Sequence, residues 1–338
     1  MTCALPRSTC LTLEAAGAGH RAVRARAAAF VVPDSVLRMS NLVSPDEVKP
    51  ASSGRFRLLS VHAHPDDEAS KGAGTVHRYV QEGAEAVLVT CTGGEQGDIL
   101  NPAIDTPENR DQLPDLRRRE LEQAADIIGY REVVMLGYRD SGMPDSEANA
   151  DPAAFANADF DEAVGTLVGI IRATRPHVML TYGDDQEGYP HPDHLQVHAI
   201  SVPAFKLAGD PSAHPDKGDP WQPSKLYYSS WSRARIQAMH DKFLELGLES
   251  PFDARWFDRP SQDHRLTTVI DVSGLYQVRK AALIAHATQV DPTSPFWFGI
   301  PDDVAETVYP HEDYILAESL VDTTLPETDL FAGVTELD

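Results

Sequence analysis

Cysteine is scarce in this 338-residue chain, which contains only Cys3, Cys10 and Cys91. Two of the three fall within the first ten residues, so no disulfide framework can be drawn and a reducing compartment is expected. Cys91 follows the apolar run Val87-Leu88-Val89-Thr90 and has no thiol-enzyme motif around it, so it reads as a buried strand residue. Basic residues are also few: 29 Lys and Arg stand against 52 Asp and Glu, a net charge of −23. That balance argues against nonspecific binding to nucleic acid or anionic membrane, because both need basic patches to displace counterions. The acidic residues are spread along the chain, as on a solvated surface. No apolar run approaches the roughly 20 residues of a membrane-spanning helix.

What is present divides into two parts. Before Met39 there are five arginines (Arg7, Arg21, Arg24, Arg26, Arg38) and only Glu14 and Asp34 as acids, with Ala and Gly dominating residues 15–29. This leader lacks the continuous apolar core of a secretory signal. Residues 1–54 read as a disordered extension, or as a start assigned too early with Met39 the true one. Residues 55–338 read as the catalytic domain, within which 209–338 form a smaller portion suited to a substrate-binding or lid role.

From Arg55 onward, short β-branched runs alternate with helical periodicity. Strands are expected at 56–61, 84–90, 132–136, 177–181, 225–229 and 267–272. Helices are expected at 69–81, 116–128, 160–173, 193–207, 233–246 and 273–286. Residues 102–114 carry Pro102, Pro107 and Pro114 and are expected to be irregular. The tail from Asp291 shows little periodicity and is expected to wrap the surface or a partner. Such alternation implies an α/β fold, Rossmann-like, with a mostly parallel sheet covered by helices on both faces. Ligands then gather at the carboxyl ends of the strands. His64, Gly93-Gly94, Asp140 and the stretch 189–194 all fall just after a strand.

The densest chemistry is His62-Ala63-His64-Pro65-Asp66-Asp67-Glu68, with five titratable residues in seven positions. A strand ending in His-x-x-Asp can set an imidazole and a carboxylate around one cation, leaving Asp66 free beside them. The second constellation is Tyr189-Pro190-His191-Pro192-Asp193-His194. Its two histidines can send one imidazole to a metal and the other to a substrate. His64, Asp67 and His194 together would supply three ligands and leave a position open for water, as a catalytic rather than a structural site requires. Trp231, Trp256 and Trp297 could line a pocket, but core or subunit contacts are the favoured reading.

These motifs resemble the HPDD and HPDH motifs of the LmbE-like, or PIG-L, family of zinc-dependent N-deacetylases and amidases. Supporting segments are Thr92-Gly93-Gly94-Glu95, Arg139-Asp140-Ser141-Gly142, His286-Ala287-Thr288-Gln289 and Pro326-Glu327-Thr328-Asp329. The resemblance runs from about Arg55 to the C-terminus and implies an LmbE-like fold. It implies one Zn²⁺ per subunit on His64, Asp67 and His194, with Fe²⁺ or Co²⁺ also compatible with such a ligand set. Asp66 matches the general base that takes a proton from the attacking water. His191 matches the group that polarises the carbonyl or protonates the amine, with Asp193 holding it oriented and charged. Tyr189 matches the oxyanion contact. Arg117 and Asp140 match residues that hold inositol and sugar hydroxyls; Asp98 stands near the sugar with less weight. Lys71 follows the first motif as in the family's S-conjugate amidases, where it could contact the acyl group.

The implied reaction cleaves the amide joining a cysteine S-conjugate to glucosaminyl-inositol, releasing a mercapturic acid. One alternative is deacetylation of the acetylated sugar, and another is a zinc- or sugar-binding protein without turnover. The implied partner is thus a small thiol–sugar conjugate, with no nucleic acid and no membrane. A cytoplasmic location is expected, and a homo-oligomer is left open. His62 and Glu68 receive no role.

Overall fold

The computed structural model describes residues 41–335 except 53, 54 and 187. The arginine-rich leader lies outside the described residues. In chain order the main elements are β1 (Leu42–Val43), β2 (Arg57–His62), α1 (Asp67–Ser70), α2 (Ala73–Gln81), β3 (Glu85–Thr92), α3 (Pro107–Asp111), α4 (Leu113–Ile128) and β4 (Glu132–Tyr138). They continue as α5 (Phe160–Thr174), β5 (Val178–Tyr182), α6 (Pro192–Leu207), β6 (Lys225–Ser230), α7 (Arg233–Glu245), α8 (Ala254–Phe257) and β7 (Thr268–Asp271). The last are α9 (Tyr276–Ala285), α10 (Pro295–Phe298), α11 (Asp302–Val308) and β8 (His311–Ser319).

The eight strands form one sheet in the order β1-β4-β3-β2-β5-β6-β8-β7. The first six are parallel, while β8 runs antiparallel to both β6 and β7. Period-two alternation sorts the central strands between two cores. Leu58 and Leu88 face a core built with α2, α4 and α9, while Leu59, Val61, Val87, Val89 and Cys91 face one built with α5 and α6. Burial on both faces is why these strands read as nearly continuous apolar runs. Ser60 is a buried polar residue within β2, and its hydroxyl accepts from Tyr130 Oη at 3.0 Å.

The α/β expectation is therefore met, with instructive differences in detail. Residues 42–47 do not belong with the leader: Leu42 is buried and β1 pairs with β4 at the edge of the sheet. The helix expected at 69–81 is broken into α1 and α2 at Gly72, which takes a left-handed φ of +102°. Residues 102–114 are not wholly irregular. Pro107 and Pro114 lie in the first turns of α3 and α4, where a missing N–H costs no hydrogen bond.

The largest correction concerns the tail, which does not merely wrap the surface: β8 enters the sheet between β6 and β7. Its acidic residues conceal it. Glu312 is buried and accepts the backbone N–H of Thr75 at 2.9 Å, while Asp313 accepts from Ser232 Oγ at 2.5 Å. Further along, Glu327 is buried against Lys225 and accepts from Tyr227 Oη at 2.7 Å. The described part of this C-terminal portion, 209–335, thus extends the same sheet and adds a small apolar cluster around Ile236, Phe243, Phe252 and Ile300. Among the described residues, no helix is long and apolar enough to cross a membrane.

Candidate active site

Strand order reverses at β2: β3 and β4 follow on one side of it, β5 and β6 on the other. Loops leaving two strands at such a point diverge and open a crevice outside their carboxyl ends. Both motif turns leave from here, His64 to Asp67 after β2 and His191 to His194 after β5.

His64, Asp67 and His194 converge there and are all buried. Asp67 Oδ2 lies 3.6 Å from His64 Nδ1 and 3.5 Å from His194 Nε2. The far nitrogen of His64, Nε2, is 3.1 Å from Asp193 Oδ2, which turns Nδ1 toward Asp67. Tyr182, the last residue of β5, stacks on His194 with ring centroids 4.4 Å apart. Burial disfavours a charged His64, but Asp193 and Asp67 outweigh it and push its pKa up to about 10. Burial also works against the Asp67 carboxylate, yet Lys71 and His194 hold it well below the usual carboxylate range.

Asp66 occupies a strained turn, with φ at +108° for a residue that is not glycine. Its conformation is held from three sides. Its N–H donates to Glu68 Oε2 at 3.0 Å, its carbonyl accepts from Ser70 at 3.1 Å, and its carboxylate meets Arg117 Nη2 at 2.9 Å. Burial raises the Asp66 pKa above its ordinary value, with Arg117 opposing. Glu68 is itself fully buried and bonded to His286 Nε2 at 2.5 Å. Glu68 thus holds a supporting place in the turn. His62 lies beneath the site, edge-on to Tyr182 at 5.6 Å, and burial pushes its pKa down to about 4.

Two expected roles, those of Arg117 and Asp193, meet a different geometry. Arg117 does not present a free fork to substrate hydroxyls; it is buried and donates to Gly94 O, Pro65 O and Asp66. Only glycine fits beside it, since a Cβ at Gly94 would lie 2.3 Å from the guanidinium carbon. Lys71 lines the cavity, with its Nζ paired to Asp67 Oδ1. Asp193 does not hold His191 charged. Its carboxylate is shared among His64, the Ser141 hydroxyl and the Ser141 N–H, and His191 Nδ1 lies 4.0 Å away.

His191 caps α6, and its Nδ1 accepts the N–H of Asp193 at 3.2 Å. Burial, with His64 beside it, pushes its pKa down to about 4. A neutral ring accepting at Nδ1 carries its proton on Nε2, so His191 offers the cavity an N–H donor. Tyr189 is half-exposed at the rim, its ring 5.3 Å from His194. Asp140 is buried and accepts from Gly142 N at 2.8 Å and Gln96 N at 3.1 Å, while its own N–H donates to Glu95. Asp98 is exposed at the opening of the cavity. Tyr182 was not singled out by sequence, and Glu95 and Ser141 stood only within supporting segments, without a role of their own.

A family model described as PIG-L: GlcNAc-PI de-N-acetylase matches residues 59–205. Mycothiol S-conjugate amidase of Streptomyces coelicolor is 44% identical over 289 residues, covering 83% of this chain and 98% of that protein. The chain belongs to the PIG-L family. A second relative, 1D-myo-inositol 2-acetamido-2-deoxy-alpha-D-glucopyranoside deacetylase of Streptomyces avermitilis, is 40% identical over 82% of this chain and 97% of that protein. The fold is shared with N,N'-diacetylchitobiose deacetylase from Pyrococcus horikoshii at a TM-score of 0.53 and 18% identity, covering 77% of this chain and 83% of that one. As a PIG-L enzyme the protein is a hydrolase of the deacetylase and amidase class.

The residues fit a metal of the kind this family's fold implies. Ligands bonded at about 2.0–2.1 Å around a tetrahedral ion stand roughly 3.4 Å apart, close to the 3.5 and 3.6 Å found around Asp67 Oδ2. Lys71 occupies the other oxygen, leaving Oδ2 to face both imidazoles. An overlapping group of His64, Asp140, His191 and Asp193 also brings ligand-type atoms together. Its two carboxylates accept backbone N–H groups, as Asp67 Oδ2 does from His64 at 3.0 Å. The surrounding cavity is about 970 Å³, with Trp231, Trp256, Phe296 and Trp297 on one wall. Those tryptophans are not simply core or subunit contacts.

Proposed function

We propose that this PIG-L enzyme is a cytoplasmic zinc amidase that cleaves mycothiol S-conjugates into a mercapturic acid and glucosaminyl-inositol. The observation that carries the metal-assisted part is the convergence of His64 Nδ1, His194 Nε2 and Asp67 Oδ2 beside the free edge of Asp66. The substrate part is supported by the amidase relative. Zn²⁺ on His64, Asp67 and His194 would supply Lewis acidity toward the amide carbonyl and the attacking water. Fe²⁺ or Co²⁺ could serve the same donor set.

The chain's own groups then divide the work. Asp66, with its carboxyl raised by burial, takes the water proton as oxygen bonds to the amide carbon. It returns that proton to the nitrogen as the C–N bond breaks. Arg117 keeps Asp66 aimed while leaving one carboxylate edge open. His191 donates its Nε2 proton in a hydrogen bond to the carbonyl oxygen, and Tyr189 closes over the same oxygen from the rim. Asp193 orients His64 and so fixes the tautomer that binds metal. Asp140 and Asp98 face the sugar half of the ligand, and residues 209–338 supply the wall opposite it.

A specific observation favours a second reading, deacetylation of acetylglucosaminyl-inositol. Lys71, the residue expected to reach a large acyl group, is held on Asp67. Kinetics on both substrates, with metal analysis of the same sample, ranks the two. Higher kcat/KM on an S-conjugate is expected; faster deacetylation would overturn the amidase assignment.

A further inference from the structure

The catalytic end of the cavity needs little room to cleave an acetamide, yet the cavity continues past it. Its volume of about 970 Å³ lies at the upper end of the roughly 300–1,000 Å³ usual for small-molecule sites. The extension is bounded by aromatic rings from three separate segments of the C-terminal portion. Trp231 follows β6, Trp256 lies in α8, and Phe296 and Trp297 lie in α10.

The rings form one continuous surface. Trp231 lies parallel to Phe296, with centroids 5.9 Å apart and planes within 6°. Trp297 meets Phe296 edge-on at 4.7 Å, and Trp256 tilts against Phe296 at 5.8 Å. Arg235 sits 4.7 Å from the Trp231 ring and Arg279 5.7 Å from the Trp297 ring, and neither arginine lines the cavity. Trp256 and Phe296 pack against the small core around Phe252 and Ile300, yet both remain partly exposed and line the cavity. A wall needed only for packing would not leave all four rings open to one space.

This wall is joined directly to the metal-binding turn. Trp231 Nε1 donates to Ser70 O at 3.3 Å, and the next residue, Lys71, pairs with Asp67. An amide held at Asp67 and Asp66 thus shares one cavity with Trp231, Phe296 and Trp256. Acetyl carries a single methyl beyond its carbonyl, whereas a cysteine thioether bearing an aryl group extends several bonds further.

We propose that Trp231, Trp256, Phe296 and Trp297 form a subsite for planar, apolar substituents on the sulfur of the substrate, and that this subsite sets the preference among S-conjugates. This rests on the amidase reading and specifies its substrate class. Stacking and apolar burial against rigid rings reward aryl groups over small alkyl groups without demanding one exact shape.

The test compares wild type with Trp256→Ala and Phe296→Ala on S-benzyl-mycothiol, S-methyl-mycothiol and the acetylated sugar. Melting curves and metal content establish that each variant is folded, and Trp256→Leu keeps the test informative if an alanine variant is not. The benzyl-to-methyl ratio of kcat/KM is expected to fall by about tenfold or more, mainly through KM, as when a well-packed aromatic anchor is truncated. A ratio unchanged within about twofold, or an equal fall on all three substrates, would overturn the subsite.

If wild type cleaves only the acetylated sugar, the amidase reading fails, and inhibition of that reaction still tests the subsite separately. S-benzyl-N-acetylcysteine inhibiting more strongly than S-methyl-N-acetylcysteine, with the difference lost in Phe296→Ala, would support it. Equal inhibition by the two compounds would refute it.

Discussion

The turn from His64 to Asp67 and the turn from His191 to His194 are built from nearly the same residues, but they are supported in different ways. In the first, Asp66 stands at φ +108° and α1 lasts only Asp67–Ser70, so the turn owes its shape to distant partners: Arg117 on the carboxylate and the Glu68–His286 pair on the backbone. In the second, His191 has an ordinary extended backbone and caps α6, a helix of 16 residues. A helix N-terminus positions side chains by local bonding, whereas a strained turn must be over-determined by its surroundings. The first turn is held by distant partners and the second by its own helix.

Three experiments bear on that contrast. The largest effect is expected within the first turn, where neighbouring aspartates should separate metal binding from turnover. Asp67→Ala should abolish both, whereas Asp66→Asn should retain a full metal complement and lose about 10²–10⁴ in kcat, the range of a lost general base. Metal analysis beside steady-state kinetics reads both, and full turnover in Asp66→Asn would remove it from the base role.

An intermediate effect is expected from the second turn. Asp193→Asn should weaken metal binding by ~10–100-fold, as for other partners of a ligating imidazole, when measured by chelator competition. Unchanged metal affinity with a lowered kcat would instead return Asp193 to His191.

The smallest and most graded effect is that of pH. Without metal, His64 keeps its proton up to about pH 10, and binding must expel it. Metal affinity should therefore rise by up to ~10-fold per pH unit between pH 7 and 9. The same raised pKa has a sign for stability. Its contribution to the metal-free protein is complete below the unfolded value of 6.5 and is lost as pH rises toward 10. Metal-free melting temperatures that increase over that interval would contradict the bond from His64 to Asp193.

Much of the site was legible in the residues because its two turns follow strands whose both-face burial leaves long apolar runs. The alternation of Leu58, Leu59 and Val61 between two cores made β2 readable and placed His64 at its end. Strand β8 was not readable in the same way. Glu312 and Asp313 are buried, but their carboxylates are satisfied by Thr75 and Ser232, both far away in sequence, with nearby Tyr309 adding a bond to Asp313. A local pattern shows the charge and not the partner. The break between α1 and α2 at Gly72 was hidden for a simpler reason: one glycine inside a helical period does not announce a left-handed φ.

The sequence by itself determined the fold class, the PIG-L resemblance and the set of titratable groups, because apolar periodicity and motif spacing are local properties. Only the tertiary structure decided what each group bonds to. Arg117 turns inward to Asp66, Asp193 serves His64 instead of its near neighbour His191, and Glu68 meets His286 across 218 positions of chain. It also gathered Trp231, Trp256, Phe296 and Trp297 from three segments onto one wall. The physical reason is common to all of these. A buried donor, acceptor or ring must be satisfied by whatever packing brings within reach, and that is set by the assembled sheet and not by neighbours along the chain.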